Sequence, residues 1–162
     1  MNNQEYIVKL KRSIDSYIEE NYEPIIYEEM SLVTEEMPLG RSLDDVLDHV
    51  NDTFQQAMFY HIDSKHLDEV KVYNDAHIDR RLFSKIRSNI HFKPSKKTAI
   101  CICLGLKLNL DETNDLLEKA GYTLSHSSKT DLIVEYFINT KEYNLDILNQ
   151  VLYDYGEDVL YL

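Results

Sequence analysis

Residues that break regular structure are scarce in this sequence of 162 residues, which has 4 glycines, 3 prolines and no tryptophan. Because turns commonly need glycine or proline, their scarcity favours long helices over a β fold with many turns. Hydrophobic residues make up 43% of the chain, which is enough for a packed core and excludes a disordered chain. We therefore expect an all-α protein.

Targeting and membrane segments are also missing. No basic residues precede an apolar run at the start, so we expect no signal peptide. No stretch approaches the ~18 apolar residues of a membrane helix, so we expect a cytoplasmic protein with no membrane partner. The 2 cysteines, Cys101 and Cys103, have the spacing of neither a CxxC redox pair nor a zinc knuckle. This favours small buried apolar residues in a reducing compartment.

Motifs for catalysis are absent as well. The 6 histidines occur in neither an HExxH nor a Cys/His metal spacing. The acidic pairs Glu35–Glu36 and Asp44–Asp45 have no convergent partner, and such pairs are typical of a solvated helix surface. No GxGxxG, GxxxxGK or GxSxG motif occurs. We predict that the protein is not an enzyme and has no catalytic residues, no cofactor and no metal site.

Charge is abundant but separated along the chain, whose net charge is −12. Residues 80–97 contain seven of the 17 basic residues and no acidic residue, which leaves ten basic and 29 acidic residues elsewhere. A local positive patch can bind nucleic acid even when the whole chain is acidic. Two other interpretations remain open: the patch pairs with the protein's own acidic surface, or it docks an acidic segment of a second subunit.

Helical spacing of apolar residues continues through most of the chain. A first helix covers residues 6–22 and ends at Pro24, and the acidic residues 25–37 form either a short helix or a linker. Ser42 is then an N-cap candidate for a helix that ends near Asp63, with Asp45 completing a capping box. These features separate an acidic N-terminal helical arm (residues 1–40), a central domain (41–124) and a C-terminal helical pair (125–162).

The remaining helices are marked by capping residues. Asp68 and Ser95 are N-cap candidates for helices over 69–75 and 96–107, and a basic helix lies between them over residues 80–89. Residues 96–107 could also form a buried strand, but their length and Ser95 favour a helix. Three further helices are predicted over residues 109–120 (beginning at Asn109 or Asp111), 131–139 and 145–155. Asn144 is an N-cap candidate for the last of them, and Gly121 and Gly156 are C-terminal signals.

A pattern within residues 43–122 resembles the Cro and phage-repressor class of helix-turn-helix domains. It includes an alanine before the turn (Ala76), an aliphatic residue after it (Ile78), a cap (Asp79) and an inward aliphatic residue (Ile86). It continues with Pro94 and Ser95, then "LGL" at residues 104–106 and "D-E-x-x-x-L-L" at residues 111–117. The resemblance implies a five-helix repressor-like core. The class usually has glycine in the turn, where φ is positive, and His77 in its place predicts an opened or relaxed turn.

Longer blocks resemble a group of poorly characterised bacterial proteins. FSKIRSN, PSK, LLEKAGYTLS and DLIVEYFI occur in the same order, at residues 83–89, 94–96, 116–125 and 131–138. This resemblance covers residues 43–155. It implies an intact bacterial module with extra C-terminal helices, and it implies no reaction.

If residues 80–89 read DNA, side chains near the helix start reach base edges and later ones contact phosphates. The candidate nucleic-acid-binding residues are Arg80, Arg81, Ser84, Lys85, Arg87, Ser88, Asn89, His91, Lys93, Lys96 and Lys97. Leu82, Phe83 and Ile86 should face inward. The first hypothesis is therefore a DNA-binding regulator of bacterial or phage origin, expected to act as a homodimer. The alternative is a non-enzymatic protein-interaction module or inhibitor in a bacterial or phage conflict system, with the helix-turn-helix kept as a scaffold.

Overall fold

The computed structural model of the protein describes residues 2–24, 43–48 and 51–161, and within these ranges the chain forms helices and no strand. The prediction of an all-α protein is confirmed. No helix within these ranges has both the length and the apolar character needed to cross a bilayer. In chain order the helices are α1 (Asn3–Asn21), α2 (Leu43–Asp48), α3 (Phe54–Ser64), α4 (Glu69–Asp75), α5 (Arg80–Ser88), α6 (Lys96–Gly105), α7 (Leu110–Lys119), α8 (Lys129–Asn139) and α9 (Leu145–Asp154).

The prediction of one continuous helix from Ser42 to Asp63 is wrong, because α2 ends at Asp48 and α3 begins at Phe54. Thr53 starts the second helix through a capping box: its hydroxyl accepts the N–H of Gln56, whose side chain accepts the N–H of Thr53. A capping box satisfies backbone donors that a continuous helix would otherwise use. The predicted cap Ser42, and the helix or linker over residues 25–37, lie outside the described residues.

Five of the other predicted helix starts are confirmed by their caps, whereas α1 begins at Asn3 instead of residue 6 and α8 at Lys129 instead of residue 131. Asp68, Asp79, Ser95, Asn109 and Asn144 each accept a backbone N–H from the first turn of the helix that follows. Each cap satisfies a donor that has no partner within the helix. The two glycines predicted after α7 and α9 have positive φ of 86° and 75°. Residues 96–105 form a helix, so the strand alternative is excluded.

Two helices, α6 and α8, form the centre of the core. Residues 99–105 of α6 are all buried, and α8 is buried on nearly every side. A helix that is hydrophobic all round needs neighbours on all its faces, and here α4 and α7 pack on α6 while α1, α7 and α9 pack on α8. The cysteines are buried in α6 as predicted, and burial raises the pKa of the Cys101 thiol to about 12. A single cluster of buried residues extends from Leu10 to Leu160.

Gly105 allows α4 to approach α6 closely. A Cβ atom at this position would lie 2.7 Å from the Cβ of Ala76 and 2.9 Å from the carbonyl oxygen of Val72. No side chain fits in that space, so the glycine of the "LGL" segment serves helix packing rather than a turn. Ala76 is fully buried at this contact, which fixes the end of α4 and the turn that leads to α5.

Helix α1 packs on α8 and α9, the two C-terminal helices. The Tyr6 hydroxyl donates to Glu142, and the Tyr155 hydroxyl donates to the carbonyl oxygen of Lys11. The Lys11 ammonium lies 2.6 Å from the carboxylate of Asp154. These contacts connect the N-terminal and C-terminal helices of the chain.

Candidate nucleic-acid interface

The turn between α4 and α5 is closed. His77 takes a left-handed conformation with φ of 53°, and its N–H donates to the carbonyl of Asn74. The N–H of Ile78 donates to the carbonyl of Tyr73 at 3.1 Å, which completes a Schellman-type helix end. The expectation that histidine would open or relax this turn is therefore wrong, because histidine adopts the conformation that glycine would have. Asp79 then caps α5 by accepting the N–H of Leu82 at 2.7 Å.

Helix α5 is attached to the protein through Phe83 and Ile86, which are 4% and 0% exposed. The Phe83 ring lies 5.7 Å from that of Phe59 on α3 and 5.3 Å from that of Tyr73 on α4, measured between centroids. Leu82 is half-buried against the same core. The predicted inward orientation is confirmed for Phe83 and Ile86, and for Leu82 in part.

The opposite side of α5 is exposed and basic. Successive residues of an α-helix are rotated by about 100°, which places Arg81, Ser84, Lys85 and Ser88 opposite the buried side chains and Arg80 at the margin. All five are exposed. No carboxylate of the described residues forms an ion pair with Arg80, Arg81 or Lys85. We call Arg80, Arg81, Ser84, Lys85 and Ser88 the outer face of α5.

Arg87 has a different environment from the arginines of the outer face. Its guanidinium donates to the carboxylate of Glu69 at the start of α4. It also lies 4.9 Å from the ring centroid of Phe59 and 5.4 Å from that of Phe83. Gln55 of α3 donates to the backbone carbonyl of Arg87 at 3.0 Å. Arg87 therefore contributes to the attachment of α5 to α3 and α4.

Lys96 is also paired within the chain. Its ammonium lies 2.8 Å from the carboxylate of Asp131, which is 3% exposed and also accepts the N–H of Ser125 at 2.8 Å. Lys96 thus connects the start of α6 to α8. The neighbouring Lys97 is exposed, and no described carboxylate pairs with it.

The loop between α5 and α6 carries the remaining candidates. Asn89 turns the chain through its side-chain oxygen, which accepts the N–H of His91 at 3.0 Å. Tyr122 holds the end of the loop by donating its hydroxyl to the carbonyl of Pro94 at 2.9 Å. Asn89, His91 and Lys93 are exposed, and no carboxylate in the described ranges pairs with Lys93.

Of the predicted site residues, the structure thus leaves five exposed cations with no acidic partner among the residues it describes: Arg80, Arg81, Lys85, Lys93 and Lys97. Pairing with the protein's own acidic surface, one of the open interpretations of the basic run, thus applies to Arg87 and Lys96, but the sequence did not indicate their partners. Glu69 is 18 residues from Arg87, and Asp131 is 35 residues from Lys96. No local spacing signals such pairs, because helix packing brings them together.

Within the described ranges, no group of three or more histidine, cysteine, aspartate or glutamate side chains is placed to hold a metal ion. Comparisons of the chain with family models, with curated proteins and with solved structures give no match.

Proposed function

We propose that the protein is a DNA-binding regulator that presents the outer face of α5 to duplex DNA. The observation that supports this most is the contrast on α5 itself. Arg80, Arg81 and Lys85 are exposed without an acidic partner among the described residues, whereas Arg87, at the edge of the same helix, is paired with Glu69. A helix with one buried and one basic face has the size and charge that the major groove accepts.

The side chains of this face can serve different parts of a DNA site. Arg81 and Ser84 are near the start of α5, where recognition helices contact base edges, and an arginine there can donate two hydrogen bonds to guanine. Lys85 and Ser88 lie one turn later and are suited to backbone phosphates. Lys93 and Lys97 extend the positive surface beyond the helix. Because the whole chain carries −12, these local cations are required for any attraction to DNA.

Fluorescence anisotropy with a labelled mixed-sequence duplex tests the proposal as a function of salt. A mixed-sequence duplex offers no selected base contact, so Arg81 and the other four exposed cations should all contact phosphates, and log K should fall with log salt at a slope of about −4.5. Arg81→Ala should weaken binding. Arg12→Ala makes the same chemical change at an exposed position of α1 and should not affect binding. Undetectable binding at low salt, or a slope near zero, would exclude the proposal.

One observation supports the alternative, a protein-interaction module. Leu43 and Leu47 are 58% and 57% exposed and lie one turn apart on α2. Residues four apart share a helix face, so two leucines present apolar surface to solvent. Exposed apolar patches often mark sites of protein association.

Sedimentation velocity of the wild type and of Leu43→Glu with Leu47→Glu tests this alternative for self-association. An oligomer that dissociates in the double variant would support α2 as an interface. If the wild type is monomeric at all concentrations and binds DNA as above, the regulator proposal stands without α2.

A further inference from the structure

Four described residues other than glycine have positive φ, and all four carry a basic or imidazole side chain: His66, His77, Lys107 and Lys141, with φ between 53° and 57°. Each follows a helix, at the position where α7 and α9 have glycine instead. A side chain in this conformation is strained, and such strain is often found at functional sites. Glycine would relieve the strain, so these side chains call for an explanation other than stability.

Three of the four lie around one groove. His77, Lys107 and Lys141, which follow α4, α6 and α8, line an open groove of about 580 Å³ together with Lys71 and the start of α9. The C-terminal ends of three helices and four side chains that can carry positive charge therefore lie at this groove. His66 follows α3 and is not part of the groove.

Most polar groups of the groove have partners within the chain. Asp75 accepts a hydrogen bond from Lys71 at 2.9 Å. Asp146 accepts the Tyr161 hydroxyl and lies 3.7 Å from Nε2 of His77, whose ring stacks on Tyr161 at 4.3 Å between centroids. The acidic side chains are thereby engaged by residues other than the remaining lysines.

Two lysines of the groove form no ion pair with any carboxylate among the described residues. Lys107 and Lys141 are exposed, and no carboxylate in the described part of the chain pairs with either ammonium. The other polar side chains of the groove act locally: Asn144 caps α9, and the Tyr143 hydroxyl donates to the carbonyl of Leu108 at 2.9 Å. The lining therefore holds three lysines against two carboxylates, of which Asp146 is exposed and Asp75 is paired with Lys71.

We propose that this groove binds a phosphate group, held by the ammonium groups of Lys107 and Lys141. The size of the groove is within the range of small-molecule sites, and a phosphate offers oxygens to both lysines. The phosphate belongs either to a nucleic-acid backbone or to a free phosphorylated molecule. The inference does not depend on the DNA-binding proposal, because no residue of the outer face of α5 takes part.

A competing explanation is that the two lysines only offset the partial negative charge at the ends of α6 and α8. The explanations differ in anion binding, because glycine relieves the left-handed strain under either of them. If the lysines only offset helix dipoles, their replacement by glycine leaves anion binding unchanged. If they hold a phosphate, the same replacement abolishes the anion contact.

The experiment is calorimetric titration with inorganic pyrophosphate at constant ionic strength, with sodium chloride as the blank. We expect the wild type to bind, and the Lys107→Gly/Lys141→Gly variant to bind about a hundredfold more weakly, since each of the two lost charge-assisted hydrogen bonds costs about tenfold in affinity. His66→Gly is the matched control, because it relieves the same backbone strain outside the groove. It should leave pyrophosphate affinity unchanged.

Duplex DNA identifies the source of the phosphate. If the salt slope of DNA binding becomes shallower by about 1.8 in the double glycine variant, the groove contacts backbone phosphates. If pyrophosphate binding is lost but the DNA slope is unchanged, the ligand is a free phosphorylated molecule. If neither pyrophosphate affinity nor the DNA slope changes, the lysines offset helix ends and the proposal is wrong. Arg81→Ala separates the two proposals, because it should affect DNA binding and not pyrophosphate binding.

Discussion

Two arginines of α5 show how the same side chain takes different roles within one helix. Arg81 lies on the exposed side, and no described carboxylate pairs with it. Arg87, six residues later, donates to Glu69 and lies over the rings of Phe59 and Phe83. The two side chains leave the helix axis in different directions, so only Arg87 contacts α3 and α4. The position of a cation around the helix, and not its presence in a basic run, decides whether it is available to a partner.

Adjacent lysines of α6 repeat this contrast. Lys96 lies 2.8 Å from the buried carboxylate of Asp131, while Lys97 is exposed. The seven cations of the run therefore divide into five that are exposed and two that take part in packing between helices.

The largest effect is expected for Phe83→Ala, which removes the ring that attaches α5 to α3 and α4. Loss of a buried aromatic side chain should lower the free energy of unfolding by about 3–5 kcal/mol. Urea unfolding followed by circular dichroism measures it, with Ser84→Ala on the exposed side as the control. A loss below about 1 kcal/mol would mean that the attachment of α5 does not depend on this contact.

Local signals in the sequence were sufficient for most of the helices. Asp68, Asp79, Ser95, Asn109 and Asn144 were recognisable as caps because a capping side chain acts within its own first turn. The wrong prediction of one helix over residues 42–63 also concerns a local signal. The apolar spacing continues across Thr53 and suggested a continuous helix, whereas the capping box of Thr53 with Gln56 begins a new helix there.

Contacts between distant helices could not be predicted from the sequence. The amino-acid order showed that Arg87 and Lys96 belong to a basic run, but it did not show that α4 and α8 bring Glu69 and Asp131 to them. For the same reason, the sequence did not predict that three residues with left-handed conformation line one groove. Lys107 and Lys141 are 34 residues apart in the sequence, and only the packing of the helices places both at the same groove.

The next effect in size concerns Lys96 and Lys97. Lys96→Ala leaves the buried carboxylate of Asp131 without its cation and should reduce the free energy of unfolding by about 1–3 kcal/mol. Lys97→Ala should change stability by no more than about 0.5 kcal/mol, because it alters an exposed side chain. Equilibrium unfolding of both variants measures the difference. Equal losses would show that the Lys96–Asp131 pair has no special role.

A smaller effect is expected for the two arginines. Arg87→Ala should lower stability by about 1 kcal/mol, because its ion pair is half-exposed and its ring contacts contribute about 0.5–1 kcal/mol. Arg81→Ala should leave stability unchanged within about 0.5 kcal/mol. In the DNA titration the order reverses: Arg81→Ala should make the salt slope shallower by about 0.9, and Arg87→Ala should not. A similar slope change in both variants would contradict the division of cations.

The smallest effect depends on pH and concerns the packing of α1 on α8. A hydrogen bond to Glu142 raises the pKa of Tyr6 to about 12, and burial together with a hydrogen bond to Glu135 raises the pKa of Tyr17 to about 12. Unfolded tyrosine ionises near 10, so the folded state keeps these protons to higher pH. The stabilisation is therefore complete below about pH 10 and is lost as the pH rises towards about 12.

Urea midpoints measured between about pH 9 and pH 12 should fall across this window, in which the unfolded tyrosines have ionised and the folded ones have not. Tyr6→Phe should make the fall shallower, because phenylalanine has no proton to release. Tyr153→Phe is the control, since Tyr153 is 71% exposed. An equal fall in the wild type and in Tyr6→Phe would mean that the Tyr6 hydroxyl does not contribute to the loss of stability in alkali.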